Sequence, residues 1–201
     1  MSLKFAKEIK VRLTLIEEVL GTMPGDKELY EAYISSKAPK KELADEENET
    51  FDPDEMIDKA MTGFPRDDNG LPFIYDYQIL GFFKAAARAM APIKGSVTKG
   101  KKAYIKEIDT RIKVEPRKIP IQFKGFMGVC QRPLRAQTPQ GERVALAISE
   151  TCPAGATLDL TIKLLDESTE DLVREWLDYG ELHGLGQWRN AGKGSFTWEE
   201  V

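Results

Sequence analysis

The chain has 201 residues, 41% of them hydrophobic and 31% charged, a composition that fits one globular domain. No apolar run approaches the roughly 18 residues of a membrane span, and the opening MSLKFAKEIK lacks the apolar core of a secretory signal. Two isolated cysteines, Cys130 and Cys152, and a single histidine, His183, exclude a disulfide framework, a cysteine zinc site and a multi-histidine metal centre. The expectation is a cytoplasmic protein with no metal, no other cofactor and no membrane partner. The net charge of −4 is unevenly spread: residues 26–58 carry −8, residues 84–143 carry +11 and residues 144–201 carry −7. The basic stretch is a candidate phosphate footprint, and an uneven solvated surface is the plain alternative.

In chain order, Ile9, Val11, Leu13 and Leu15 alternate with polar residues, which predicts a half-buried strand within residues 4–19. Gly21, Pro24 and Gly25 stop it. A short helix is expected over 26–36, then a mobile acidic insertion at about 37–58, and a second short helix over 54–61. PRDDNG is a turn, and residues 71–77 are extended. YQILGFFKAAARAMAP is the strongest helix, with Ile79, Phe82, Phe83, Ala86, Ala87 and Met90 on its apolar face and Pro92 ending it. KGSVTKGKK, at 94–102, reads as a flexible basic loop. A helical or extended piece follows at 103–112.

Strands then dominate: IPIQF, VCQRPLR, VALAISE and TLDLTIKLL. TPQGE is the tip of a hairpin, and CPAGAT a turn before the long strand. Residues 168–179 form a helix with Ser168 as N-cap and Asp171 at the capping-box position. Trp176 and Trp198 are expected in the core, and the two cysteines as small buried residues. A glycine-rich loop and a terminal strand, SFTWEEV, close the chain. This order predicts an α+β protein with a ferredoxin-like core and a mostly antiparallel sheet.

The loop GLGQWRNAGKG holds Gly184, Gly186, Gly192 and Gly194. It has neither the P-loop spacing nor the strand-to-helix setting of a dinucleotide fingerprint. Glycines here would let the backbone approach a phosphate chain, with Trp188 and Arg189 stacking or pairing on a nucleotide. A tight helix-to-strand connection with Trp188 packed inside explains the same residues.

Taken together, the motifs resemble the RAMP superfamily, RRM-like proteins that include backbone subunits and processing nucleases of CRISPR systems. KEIKVRLTLIEEVLGTMPG is similar to the family's opening strand and glycine turn. LPFIYDYQILGFFKAAAR is similar to its "P-x-I-P-G-S-S-L-K-G-x-L-R" helix, with Gly81, Lys84 and Arg88 in place and Tyr75, Asp76 and Tyr77 where Pro-Gly-Ser is usual. ETCPAGATLDL resembles "E-x-V-P-x-G-T-x-F". GLGQWRNAGKG resembles "G-x-G-x-x-R-S-x-G-x-G", with Asn190 for Ser. The four motifs span residues 4–201 as one domain.

The resemblance implies binding of single-stranded, guide-type RNA and assembly with other copies or other effector subunits. QRPLRAQTPQGER would then be a thumb-like hairpin, with Arg132, Arg135 and Arg143 on phosphates and Gln137 as a polar contact. Lys99, Lys101 and Lys102 would add a second patch, beside Lys84 and Arg88, and Gly184, Gly186, Trp188, Arg189 and Lys193 complete the surface. Solvated charge is the alternative for each basic residue. The processing nucleases of the family cut RNA with a histidine, normally near the first helix, whereas His183 sits just before the glycine-rich loop and fits a helix-capping role. Asp67 and Asp68 occupy a stretch where some backbone subunits carry a metal-assisted aspartate, but Asp-Asp-Asn-Gly is also ordinary turn chemistry. The expectation is therefore a non-catalytic RNA-binding subunit. An endoribonuclease of the same superfamily, or a phage or mobile-element module acting on a defence complex, are the alternatives.

Overall fold

The computed structural model describes residues 4–24, 61–138 and 141–201. The helix expected at 26–36, the insertion at about 37–58 and the helix expected at 54–61 lie outside them, except that Met61 opens a strand. In chain order the elements are β1 (Lys7–Leu15), β2 (Val19–Leu20), β3 (Met23–Pro24), β4 (Met61–Gly63), β5 (Phe73–Tyr75), α1 (Asp76–Met90) and α2 (Tyr104–Arg111). They continue with β6 (Ile112–Glu115), β7 (Lys118–Pro120), β8 (Gly128–Thr138), β9 (Gly141–Cys152), β10 (Thr157–Leu164), α3 (Glu170–Asp178) and β11 (Phe196–Glu200). No described helix is long and apolar enough to cross a membrane.

The main sheet has the order β11-β1-β10-β6, with every neighbour antiparallel. Its register follows from the period-two apolar pattern, because a slip of one residue would turn each buried side chain into solvent. Ile9 lies opposite Ile162 and Leu13 opposite Leu158, and all four are buried. On this face pack α1, through Ile79, Phe82, Phe83, Ala86 and Ala87, and α3, through Leu172, Val173, Trp176 and Leu177. Phe82 meets Phe196 edge-on, with ring centroids 5.2 Å apart, and Phe83 lies 5.8 Å from Trp176.

A second, mixed sheet grows from the end of the main sheet at which β1 finishes. There β8 and β9 form a long antiparallel hairpin, β2 pairs antiparallel with the base of β9, and β4 pairs parallel with β9 and antiparallel with β3. β5 and β7 form a separate two-stranded ribbon ahead of α1. The whole is a mixed α+β arrangement with mostly antiparallel sheets and three described α-helices.

Several expectations need correction. The opening strand ends at Leu15, and β2 after it belongs to the second sheet. Ser168 is not the N-cap of α3. Asp166 caps a preceding 3-10 turn by accepting from the Ser168 amide at 2.9 Å, and Thr169 stands at the N-cap of α3 itself. Trp198 is only half-buried, its Nε1 donating to Asp178 at 2.8 Å, whereas Trp176 is fully enclosed. Cys130 is half-buried. Cys152 is fully buried, and burial first, then the Glu150 charge, push its thiol up to about 12.

Gly81 sits on the exposed side of α1, with open space where a Cβ would stand. The fold therefore does not require it. Gly81→Ala is expected to stabilise the protein by about 0.5–1 kcal/mol through helix propensity, read as a higher midpoint in urea denaturation.

Candidate nucleic-acid interface

The glycine-rich loop between α3 and β11 folds back on its own chain. A Cβ on Gly184 would stand 1.9 Å from the carbonyl carbon of Gly194, and one on Gly186 2.6 Å from the Leu20 carbonyl oxygen. Gly186 and Gly194 also have positive φ, 75° and 71°. Gly184 and Gly194 thus close the loop on itself, and Gly186 seats it against β2. The Gly194 amide donates to the Glu18 carbonyl at 2.9 Å, and the Leu185 amide to the Gly194 carbonyl at 2.9 Å.

Seating the loop this way points Gln187 inward. Its Nε2 donates to the Gly21 carbonyl at 3.0 Å and to Thr62 Oγ1 at 3.3 Å, while its Oε1 accepts from Arg132. Thr62 and Ser149 share a hydrogen bond of 2.8 Å, and Arg132 donates to Ser149 Oγ at 3.2 Å. One polar network thus ties the base of the hairpin, β4, the turn after β2 and the glycine-rich loop together. Arg132, expected on the hairpin surface as a phosphate contact, is 6% exposed, so it is an internal residue. A buried guanidinium is tolerated because side-chain oxygens satisfy it. Gln187, Thr62 and Ser149 escaped the sequence reading, since none carries charge and their proximity arises only on folding.

The rest of the expected surface divides. Trp188 is 41% exposed, with the Arg132 guanidinium 5.6 Å from its ring centroid. Arg189 is half-buried and has no acidic partner among the described residues. Lys193 is held by Glu17 and Glu18 at 3.1 and 3.0 Å, which cancels its charge locally. Arg135 and Gln137 pair in register with Val144 and Glu142, and Arg143 with Ala136; their side chains and the tip at 139–140 lie outside the described residues.

Lys84, Arg88, Lys99, Lys101 and Lys102 belong to the opposite end of the main sheet. α1 starts near Thr22, to which Gln78 Nε2 donates at 3.0 Å, and runs away from the glycine-rich loop. Lys101 lies within electrostatic reach of Asp166, just past the end of β10. Lys84 pairs with Asp109 at 2.5 Å and Lys101 with Glu107 at 3.5 Å. Arg88, Lys99 and Lys102 are exposed and have no ion pair among the described residues.

The loop at 94–102 is anchored, contrary to the expectation of a flexible one. The Glu175 carboxylate accepts from Ser96 Oγ at 2.9 Å, the Val97 amide at 2.7 Å, and both the amide and hydroxyl of Thr98 at 3.1 and 2.5 Å. Trp176 Nε1 donates to Thr98 Oγ1 at 2.9 Å. Burial pushes Glu175 up, but the Thr98 hydroxyl and the other donors outweigh it and hold the carboxyl below its ordinary value.

The face of the main sheet away from the helices carries no aromatic side chain at its strand positions. Arg12 forks onto Asp159 at 2.7 and 3.0 Å, and Lys163 pairs with Glu115 at 2.7 Å. Phe5, just before β1, lies under Lys163. RRM domains stack bases on aromatic residues of this face, and this sheet lacks that equipment.

Asp67 Oδ1 accepts from the Asn69 and Leu71 amides at 2.9 and 2.8 Å, so its carboxylate closes the PRDDNG turn. Asp68 is exposed. The His183 amide donates to the Tyr179 carbonyl at 3.0 Å, and its ring packs on the Tyr179 ring. Burial first, and the Arg189 charge second, lower its pKa. Among the described residues, no three His, Cys, Asp or Glu side chains gather as a metal site.

No protein-family model matches the chain, and no curated protein matches it at a significant level. Solved structures do. A chain in the cryo-EM structure of the type III-B Cmr-beta complex bound to cognate target RNA superposes with a TM-score of 0.52 at 12% identity, over 96% of this chain and 58% of that one. A chain of a type IV-B CRISPR complex gives 0.46 at 13% identity, over 97% and 90%. The fold is therefore similar to that of a CRISPR-complex chain, and the present chain spans 58% of the Cmr-beta chain's length.

Two outcomes follow from this geometry. Gly184→Ala is expected to cost about 3 kcal/mol or more by backbone overlap, against about 1 kcal/mol for Gly192→Ala, where only the left-handed backbone is strained; guanidinium denaturation compares them. Glu175→Gln is expected to cost about 1–3 kcal/mol at neutral pH through the lost charge-assisted hydrogen bonds. Because folding lowers the Glu175 pKa, its contribution is present above the ordinary glutamate range and is lost as pH falls through the folded-state value. The stability gap between wild type and variant should accordingly narrow in acid, read from thermal melts across pH.

Proposed function

We propose that this protein is a non-catalytic RNA-binding subunit of the RAMP type, built on a ferredoxin-like core. The connectivity β1-α1-β6-β10-α3-β11 with spatial order β11-β1-β10-β6 supports the ferredoxin-like reading. The similarity in fold to a chain of an RNA-bound type III-B complex agrees with it. The observation that carries the proposal is the Arg132–Gln187 contact, which joins the hairpin base to the glycine-rich loop beneath the exposed Trp188 and so sets the two segments side by side as one candidate surface.

Single-stranded RNA would run across that surface, with Arg189 and the outer hairpin residues Arg135, Gln137 and Arg143 meeting phosphates. Other copies or other effector subunits would bind along the same strand. The closed Asp67 turn and the position of His183 in the sequence, just before the glycine-rich loop and not near the first helix, favour binding over cleavage. The setting would be cytoplasmic.

Size-exclusion chromatography at low salt, read at 260 and 280 nm before and after RNase, tests this. A large, nucleic-acid-rich species that RNase collapses is expected. The logarithm of the affinity for added single-stranded RNA should fall linearly with log salt, with a slope of about −0.7 per phosphate neutralised. Arg189→Glu should weaken binding, whereas Lys193→Ala should leave it nearly unchanged. A nucleic-acid-free protein that ignores single-stranded RNA overturns the proposal.

A further inference from the structure

We infer that Trp188 is a stacking platform for an unpaired nucleobase and that Arg132 is the buried residue that positions it; this rests on the RNA-binding reading above. Trp188 is the only described non-glycine residue with positive φ, at 56°. A bulky side chain is rarely found there, and such a conformation persists where the surroundings over-determine it. Here they do. Gly186 is pressed against Leu20, Gln187 is fixed inward by three side-chain contacts, and the Trp188 carbonyl accepts from the Ala191 amide at 3.0 Å. With Gln187 turned in, the next side chain is turned out.

The strain does not serve core packing, because the ring remains 41% exposed. Trp176 and Trp198 each spend their indole N–H on a hydrogen bond within the fold, and Trp188 makes none among the described residues. Arg132 lies over the ring at 5.6 Å, while its own N–H groups are held by Ser149 and Gln187. A cation in that place steadies the ring through its π face without itself reaching a ligand. The outcome is a flat, oriented aromatic surface followed directly by Arg189, a cation with no acidic partner among the described residues. That pairing of a π face with an adjacent positive charge suits one base and its phosphate. Because every base has a π face, such a platform tolerates any sequence.

Fluorescence anisotropy with a labelled oligo-uridine strand, and with a strand of the same length carrying abasic sites throughout, tests this. Trp188→Ala is expected to weaken binding of the oligo-uridine on the order of tenfold and to leave the abasic strand unchanged. Trp188→Phe should restore most of the loss. Arg132→Gln should weaken oligo-uridine binding in the wild-type background and add nothing in Trp188→Ala, with thermal melts showing that the variants are folded. Trp188→Ala that binds both strands as wild type does, or loses equally on both, overturns the assignment while the RNA-binding reading stands. A wild-type protein that binds neither strand overturns that reading and the assignment with it.

Discussion

The glycine-rich end of this molecule depends on close backbone approach that only glycine permits. Gly184 lies against Gly194, and Gly21 against Gly63, where an added Cβ would stand 1.9 and 2.4 Å from the opposing backbone. The first contact pins the loop before β11; the second holds the turn after β2 against β4. Between them Gln187 finds the Gly21 carbonyl and Thr62, and through Gln187 the loop finds Arg132. Glycine in this loop is thus a packing residue first, and any contact with a ligand falls to the side chains that the packing orients.

Most of the main sheet was legible in the sequence because its signals are local. Alternation in β1 and β10, and the apolar stripe of α1, survive folding unchanged, since each buried face is set by spacing along one element. β6 was not legible. Only Ile112 and Val114 turn inward, the other two residues, Lys113 and Glu115, are charged, and the strand exists because β10 offers it a partner. β2, β3 and β4 are two or three residues long and owe their assignment to pairing across distant parts of the chain.

The candidate site was half legible for the same reason. Glycines, Trp188 and the basic hairpin stand out along the chain, but charge alone does not say which cations face water. Arg132 is enclosed by partners 17 and 55 residues away. The composition of the lysine-rich loop at 94–102 predicts flexibility, whereas Glu175, some 77–79 residues further on, fixes it with four hydrogen bonds. The basic excess of residues 84–143 also divides between the two ends of the sheet, so it is not one footprint.

The strand order has a consequence for assembly. β11 and β6 are the outer members of the main sheet, five and four residues long. They carry Glu199 and Glu200 on one side and Lys113 and Glu115 on the other. Short, charged edge strands resist being extended by a neighbour's strand. Copies of this chain that meet are therefore steered away from continuing the sheet from one protomer into the next, and towards contacts made by side chains, by the hairpin or through a shared ligand.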